Sequence, residues 1–231
     1  MIELRPFAQI GAADHGWLNA HHHFSFASYL DRNRMGWGSI RVWNDDTIAP
    51  HTGFATHGHE NMEIITYVRT GAISHKDSLG SSGRTVAGDV QVMSAGAGIQ
   101  HSEYNHEGEP CTLFQIWVLP REKGGAPYYD FKPFPKDARA GQWVVLASGF
   151  EGDAGTLPIR ADARVLGATL AAGSTLTHEV GPGRHAYLVP ATGKIDVDGV
   201  AANARDGVGL TEGHYTITAL EEAELVLVDA P

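Results

Sequence analysis

From residue 62 onward the chain is a succession of short β-branched and aromatic runs closed by glycine turns, and no stretch sustains the 3.6-residue apolar rhythm of a long amphipathic helix. Met62-Glu63-Ile64-Ile65-Thr66-Tyr67-Val68 runs into the turn Arg69-Thr70-Gly71 and then Ala72-Ile73-Ser74-His75. Asp89 to Met93 reads as another strand. Thr112 to Leu119 is apolar on both faces, the pattern of a strand buried on both sides. Such a chain can close only as a sandwich or barrel, so the fold class is all-β. Between Pro120 and Gly141 the composition shifts: Arg121-Glu122-Lys123-Gly124-Gly125 is polar, and Pro127, Pro133 and Pro135 follow, which predicts a linker or crossing segment. Strands resume at Trp143–Ala147, Arg164–Leu170, Ala186–Val189, Lys194–Val197, Tyr215–Ala219 and Glu224–Val228. Val197-Asp198-Gly199-Val200 predicts a type I′ hairpin, because Asp-Gly supplies the two positive φ angles that turn needs. Two all-β units are expected, residues 1–135 and 136–231.

The candidate chemistry lies in the first unit. His57-Gly58-His59 and His101-Ser102-Glu103 each place two donor groups on one face of an extended strand, since residues i and i+2 share a side. If the two segments come together, three imidazoles and one carboxylate converge. That donor set suits a first-row transition ion and leaves coordination positions open for substrate, water or dioxygen. Of 13 histidines only His178, His185 and His214 follow Pro120, with no His-x-His among them, so the second unit is expected to carry no metal ligands.

Other candidates are weaker. Glu63 has the parity of His57 and His59 and is the rival carboxylate, whereas Glu103 is favoured because it sits within the second pair. Asn105 shares that parity and reads as a supporting hydrogen-bonder. The triplet His21-His22-His23 alternates faces, so at most two of its rings could share an ion. His75 and His106 each stand alone and read as solvent-facing or hydrogen-bonded. Asp45 and Asp46 read as a turn or loop cap, and Cys111 as a small core residue. No nucleophile elbow, phosphate-cradling loop or dinucleotide fingerprint is present.

Charge and cysteine content narrow the partners. With 17 basic against 27 acidic residues the chain is a poor ligand for a phosphate backbone, so direct nucleic-acid binding is not expected. A single cysteine allows no intrachain disulfide and no cysteine-rich zinc site, which fits a reducing compartment. The first residues lack the basic start and apolar run of a signal peptide, and no apolar stretch approaches the roughly 18 residues of a membrane span. A cytoplasmic protein without membrane contact is expected.

Several motifs in order carry a resemblance. Gly16-Trp17-Leu18, Phe24-Ser25-Phe26, Arg41-Val42-Trp43-Asn44-Asp45-Asp46, the run from Thr56 through Val68, His75-Lys76-Asp77-Ser78-Leu79-Gly80, and Gly88 through Glu103 closely resemble the pirin family of bicupins. The resemblance is dense from about Asp14 to Pro120 and fades beyond. It implies two tandem cupin β-barrels with the metal in the first, held by His57, His59, His101 and Glu103. That sides against Glu63, although the spacing His-x-His-x-x-x-Glu also occurs in metal-binding cupins. The resemblance further implies one divalent transition ion, Fe(II) first, with Mn, Ni, Co, Cu and Zn as alternatives. Bacterial members of this length resemble quercetin 2,3-dioxygenases, which open a flavonol ring with dioxygen and release carbon monoxide. Glu103 would then be the catalytic base for the flavonol hydroxyl, and Met93, Phe54 and Trp43 the cavity walls. The competing expectation is a redox-responsive regulatory protein that binds a metal and docks on a protein partner without catalysis.

Overall fold

The computed structural model describes all 231 residues, nearly all of them in strands and turns. In the first half two antiparallel sheets face each other. The larger has seven strands in the order Tyr128–Lys132, Val90–Ser94, Glu63–Thr70, Cys111–Val118, Ile40–Ile48, Leu18–His22 and Gly11–Asp14. The smaller has four: Thr52–His59, Ile99–Asn105, Ala72–Asp77 and Ser82–Val86. The two do not hydrogen-bond into a closed cylinder, so the expected barrel is an open cupin jelly roll. Most of the second half is one nine-stranded sheet, whose long strands Thr175–Thr192 and Gly207–Ala219 pair along most of their length.

The hairpin at residues 197–200 forms as expected. Asp198 at φ 46° and Gly199 at φ 91° turn Val197 onto Val200, the left-handed pair that a type I′ turn demands. Between the halves, Tyr128–Lys132 still pairs with Val90–Ser94, a short 3-10 helix follows at Lys136–Arg139, and the next strand begins at Val144. One strand crosses over: Ile2–Arg5 pairs with Gly207–Leu210 of the second half.

The seven-stranded sheet is buried on both faces because it is the middle layer of three. Along Glu63–Thr70, Ile64 and Val68 turn into the first jelly roll, while Ile65 and Tyr67 turn toward the second half. There they join Trp43, Phe114 and Ile116, and Tyr187, Val189, Val226 and Val228 meet them from the other side in one cluster of 24 buried residues. Each fully buried side chain of that kind contributes roughly 1.5–3 kcal/mol. The halves therefore share a core and are not two independent beads.

Polar groups stitch the same interface. Asp45 accepts from Arg69 of its own half and from Arg205 Nε at 2.5 Å across the interface. Glu224 accepts from the Tyr67 hydroxyl, from Lys136 Nζ at 2.6 Å and from Arg139 Nη2 at 3.4 Å. This corrects the reading of Asp45 and Asp46 as a turn: both are buried inside the strand Ile40–Ile48, on opposite faces. Two arginines neutralise Asp45. Burial, then the neighbouring Asp45 and Glu103, push the Asp46 carboxyl well above its usual range. No helix is long and apolar enough to cross a membrane.

Candidate metal centre

The two histidine-bearing strands lie side by side in the four-stranded sheet, with His57 directly across from His101 and His59 across from Ile99. Opposite side chains on adjacent strands stand about 5 Å apart at Cβ, so pairing alone brings the rings together. The register then shifts: Glu103 faces Phe54 instead of Ala55. A bulge of this kind releases backbone groups from the ladder, and the Ala55 carbonyl accepts Nδ1–H of His57 at 2.8 Å. With Nδ1 committed, Nε2 of His57 keeps its lone pair. It lies 3.2 Å from Nε2 of His101.

That spacing fits an ion. Two nitrogens held about 2.1 Å from one metal lie roughly 3.0–3.4 Å apart for octahedral to tetrahedral angles. His59 completes the group: donor atoms of His57, His59 and His101 all fall within 4.8 Å of one another. Burial, then the neighbouring His57, lowers the His59 ring to about 4, and burial followed by His57, His59 and His75 lowers His101 to about 3. Both rings are thus neutral near neutral pH, the form in which imidazole ligates.

Glu103 belongs to a second group, His75, His101 and Glu103, which shares His101 with the first. Its Oε1 accepts from Gln91 Nε2 at 2.6 Å and its Oε2 from Gln115 Nε2 at 2.8 Å. Neither amide can turn over cheaply. The Gln115 oxygen accepts from Trp117 Nε1 at 3.2 Å, and the Gln91 oxygen from Thr85 Oγ1 at 3.0 Å and the Tyr129 hydroxyl at 3.2 Å. Burial nevertheless pushes the Glu103 carboxyl up to about 7, against these hydrogen bonds. Glu103 falls within reach of His75 and His101 but outside the group that His57, His59 and His101 form.

Glu63 lies elsewhere. Between His59 and Glu63 the chain turns through Asn61 at φ 52° and leaves the four-stranded sheet for the seven-stranded one. There Glu63 Oε2 accepts from Ser94 Oγ and from the Arg160 amide at 3.0 Å, buried between the two halves. Asn105 holds a loop, donating to the carbonyls of Ile48, Ala49 and Glu109. In the triplet, His22 turns into the first jelly roll onto Asn44 at 2.8 Å, and the fully buried His23 turns toward the second half, onto the Tyr187 hydroxyl at 2.9 Å. His106 is exposed, its ring tilted 35° against that of Tyr104 at 4.8 Å. Of the two alternatives for His75 the hydrogen-bonded one holds: its Nε2 lies 3.0 Å from Asp77 Oδ2, it is 3 % exposed, its ring lies flat on Tyr129 at 3.7 Å, and it borders His101.

Beside the imidazoles opens a cavity of about 300 Å³ lined by Trp17, Phe26, Phe54, Ala55, His57, His59, Glu103, Gln115 and Trp117. Of the expected walls only Phe54 is there. Trp43 sits in the interface core, because its strand position points away from the first jelly roll, and Met93 packs with Ile64, Ala95 and Ile99. A wider polar groove of about 460 Å³ lies on the other side of His59, between Gly58, Ser78 and Gln100. Gln91 and Gln115, which grip Glu103, are not among the candidates that strand parity or histidine spacing picks out. Their signal was a lone amide inside an apolar strand, Val90-Gln91-Val92 and Phe114-Gln115-Ile116.

A family model described as Pirin matches residues 3–118, and one described as quercetinase C-terminal cupin domain matches residues 145–230. A pirin-like protein of Caulobacter vibrioides is 64% identical over 231 residues, 100% of both chains. A protein of Escherichia coli named quercetin 2,3-dioxygenase is 39% identical over 233 residues, covering 100% of this chain and 99% of its own. The crystal structure of a bacterial pirin from Escherichia coli in complex with nickel(II) has a TM-score of 0.94 and 37% identity, covering 100% of this chain and 99% of that one.

Proposed function

This chain belongs to the pirin family, and from that premise we propose that it is a metal-dependent dioxygenase that opens the ring of a flavonol such as quercetin and releases carbon monoxide. The observation that carries the reading is the meeting of three convergent imidazoles with an aromatic-walled cavity of about 300 Å³. His57, His59, His101 and Glu103 are the proposed ligands and Fe(II) the proposed ion. The same nitrogen and oxygen donors accept Mn, Ni, Co, Cu or Zn, and nickel(II) is the ion named for the similar Escherichia coli structure. When bound, the ion would supply Lewis acidity toward a substrate hydroxyl, and a redox-active one such as Fe(II) would add electron exchange with dioxygen.

The chain's own groups do the rest. Glu103 stands at the cavity wall as the acceptor for the flavonol hydroxyl proton, either while ligating or after letting go of the ion. Its carboxylate stays oriented because Gln91 and Gln115 hold one oxygen each. Trp17 and Phe54 meet edge to face at 5.0 Å, and Trp117 stands edge-on to His59 at 4.9 Å. Together these rings offer a flat ligand apolar surface and exclude water from the reacting carbons. The second half carries no such cluster. Its His178 is spoken for by Asp229 at 3.0 Å.

The test is to load the purified protein with Fe(II) or Ni(II), measure the bound ion, and follow quercetin absorbance and carbon monoxide under air. Turnover that depends on the metal and vanishes in His57→Ala supports the reading. A stoichiometrically loaded protein that leaves flavonols untouched overturns it in favour of a metal-binding regulatory protein.

A further inference from the structure

The strand Ala72–Asp77 flanks Ile99–Asn105 on the side opposite His57, with His75 across from Glu103 and Asp77 across from His101. Here a chain of contacts runs inward. Asp77 Oδ1 accepts the amides of Leu79 and Ser81, each at 2.9 Å, and its Oδ2 lies 3.0 Å from His75 Nε2. Nδ1 of His75 lies 3.4 Å from Nδ1 of His101. Nε2 of His101 is the nitrogen that faces His57. The His75 and Asp77 side chains are both out of solvent, and the Tyr129 ring lies parallel to His75 within 3°.

A neutral imidazole carries one N–H, and an ionised carboxylate only accepts. Asp77 therefore fixes the hydrogen of His75 on Nε2 and makes its Nδ1 an acceptor. An acceptor there draws the His101 hydrogen to Nδ1, and Nε2 of His101 is left with a lone pair. We propose that Asp77 dictates the tautomer of His101 through His75, so that His101 presents a bare Nε2 to the ion before any ion arrives. Asp77 and His75 are positioning residues, and the inference rests on the reading of His101 as a ligand. It also accounts for a buried histidine that no ligand role employs. Tyr129 braces both arms of the site, stacking on His75 and donating to the Gln91 that grips Glu103.

Asp77→Asn tests this with almost no change in shape. The amides of Leu79 and Ser81 require an oxygen at the Oδ1 position, so the new NH₂ must face His75. A donor there reverses His75, which then donates from Nδ1 toward His101, and His101 must carry its hydrogen on Nε2. Long-range ¹H–¹⁵N spectra of the metal-free protein at pH 8 read the tautomers directly. The expected result is Nε2–H on His75 and Nδ1–H on His101 in the wild type, both inverted in Asp77→Asn. Competition titration with nickel(II) should show affinity about 10–100-fold weaker in Asp77→Asn, the usual scale for losing an outer partner of a metal ligand. In a His75→Phe background the same substitution should cost nothing further, because its only route to His101 is gone.

A wild-type His101 with its hydrogen on Nε2, an unchanged tautomer in Asp77→Asn, or additive losses in the double variant would overturn the proposal. The wild-type spectrum decides the point even if Asp77→Asn fails to fold. Correct tautomers in a wild type that takes up no nickel(II) would uphold the wiring and remove the ligand reading of His101 alone.

Discussion

Replacing Glu224 with glutamine removes one negative charge from the seam between the two halves and leaves Arg139 stranded. The Arg139 side chain is wholly buried, and its Nε and Nη1 have no partner. Its neighbours are Glu224 Oε1 at 3.4 Å, the Gly88 carbonyl at 3.3 Å and the Tyr67 ring at 5.3 Å. Removing one member of a buried ion pair costs about 3–5 kcal/mol, because the other charge stays in the low-dielectric interior uncompensated. The Lys136 bond to the same carboxylate adds at most about 1 kcal/mol, since that ammonium is 45 % exposed and screened by water. Glu224→Gln should therefore lose roughly 3–5 kcal/mol in urea unfolding followed by circular dichroism. Arg139→Met in the same chain should restore about half or more of the loss, since it withdraws the unpaired charge and leaves an apolar chain of similar length. Nickel(II) uptake should be unchanged, because none of these groups touches the imidazole cluster. A loss under about 1 kcal/mol, or a double variant whose losses simply add, would refute the reasoning.

Acid lability should report on His23, whose ring burial and then Arg5 hold at about 3. The unfolded chain takes up a proton below about 6.5 while the folded chain does not, so stability is complete above that pH and falls by up to ~1.4 kcal/mol per unit toward 3. His23→Gln should lose up to about 3 kcal/mol less than wild type between pH 6.5 and pH 4 in urea titrations, and parallel curves would contradict it. Gly53→Ala should disturb the bulge, because a Cβ there would meet the Glu103 carbonyl oxygen at 2.2 Å and the Tyr104 Cα at 2.6 Å. About 1–3 kcal/mol of stability should go, together with weaker nickel(II) binding by competition titration; an unaffected variant would show that the strands slide freely. Phe54→Ala should raise KM for quercetin about 2–10-fold with little change in kcat, as expected for one lost aromatic contact; steady-state kinetics showing a kcat collapse instead would place Phe54 in the chemistry.

The positions of the strands were legible from the chain because side-chain alternation and glycine turns are local. Arg164–Leu170 and Lys194–Val197 form over the expected residues. Others, such as Ala186–Val189, prove to be parts of longer strands, since continued pairing with a neighbour extends a run beyond its own β-branched residues. The grouping of His57 with His59 and of His101 with Glu103 was legible for the same reason, as each pair lies within three residues of one strand.

Parity carries no information across a turn that changes sheets. Asn61, in the left-handed region, sends Glu63 to the interface although its count from His59 matched. Whether a lone histidine is solvated or built into a site is likewise not local. His75 is indistinguishable from His106 by its neighbours in sequence, and only pairing with Ile99–Asn105 sets it against His101. The acidic pair Asp45 and Asp46 looked like a turn because the arginines that neutralise Asp45, Arg69 and Arg205, stand 24 and 160 residues away. The sequence by itself determined which short segments are extended and which side chains share a face, since those follow from backbone geometry over two or three residues. The tertiary structure alone decided which faces meet, because hydrogen-bonded pairing between distant strands, and the shared apolar core behind them, set the distances on which ligation and proton transfer depend.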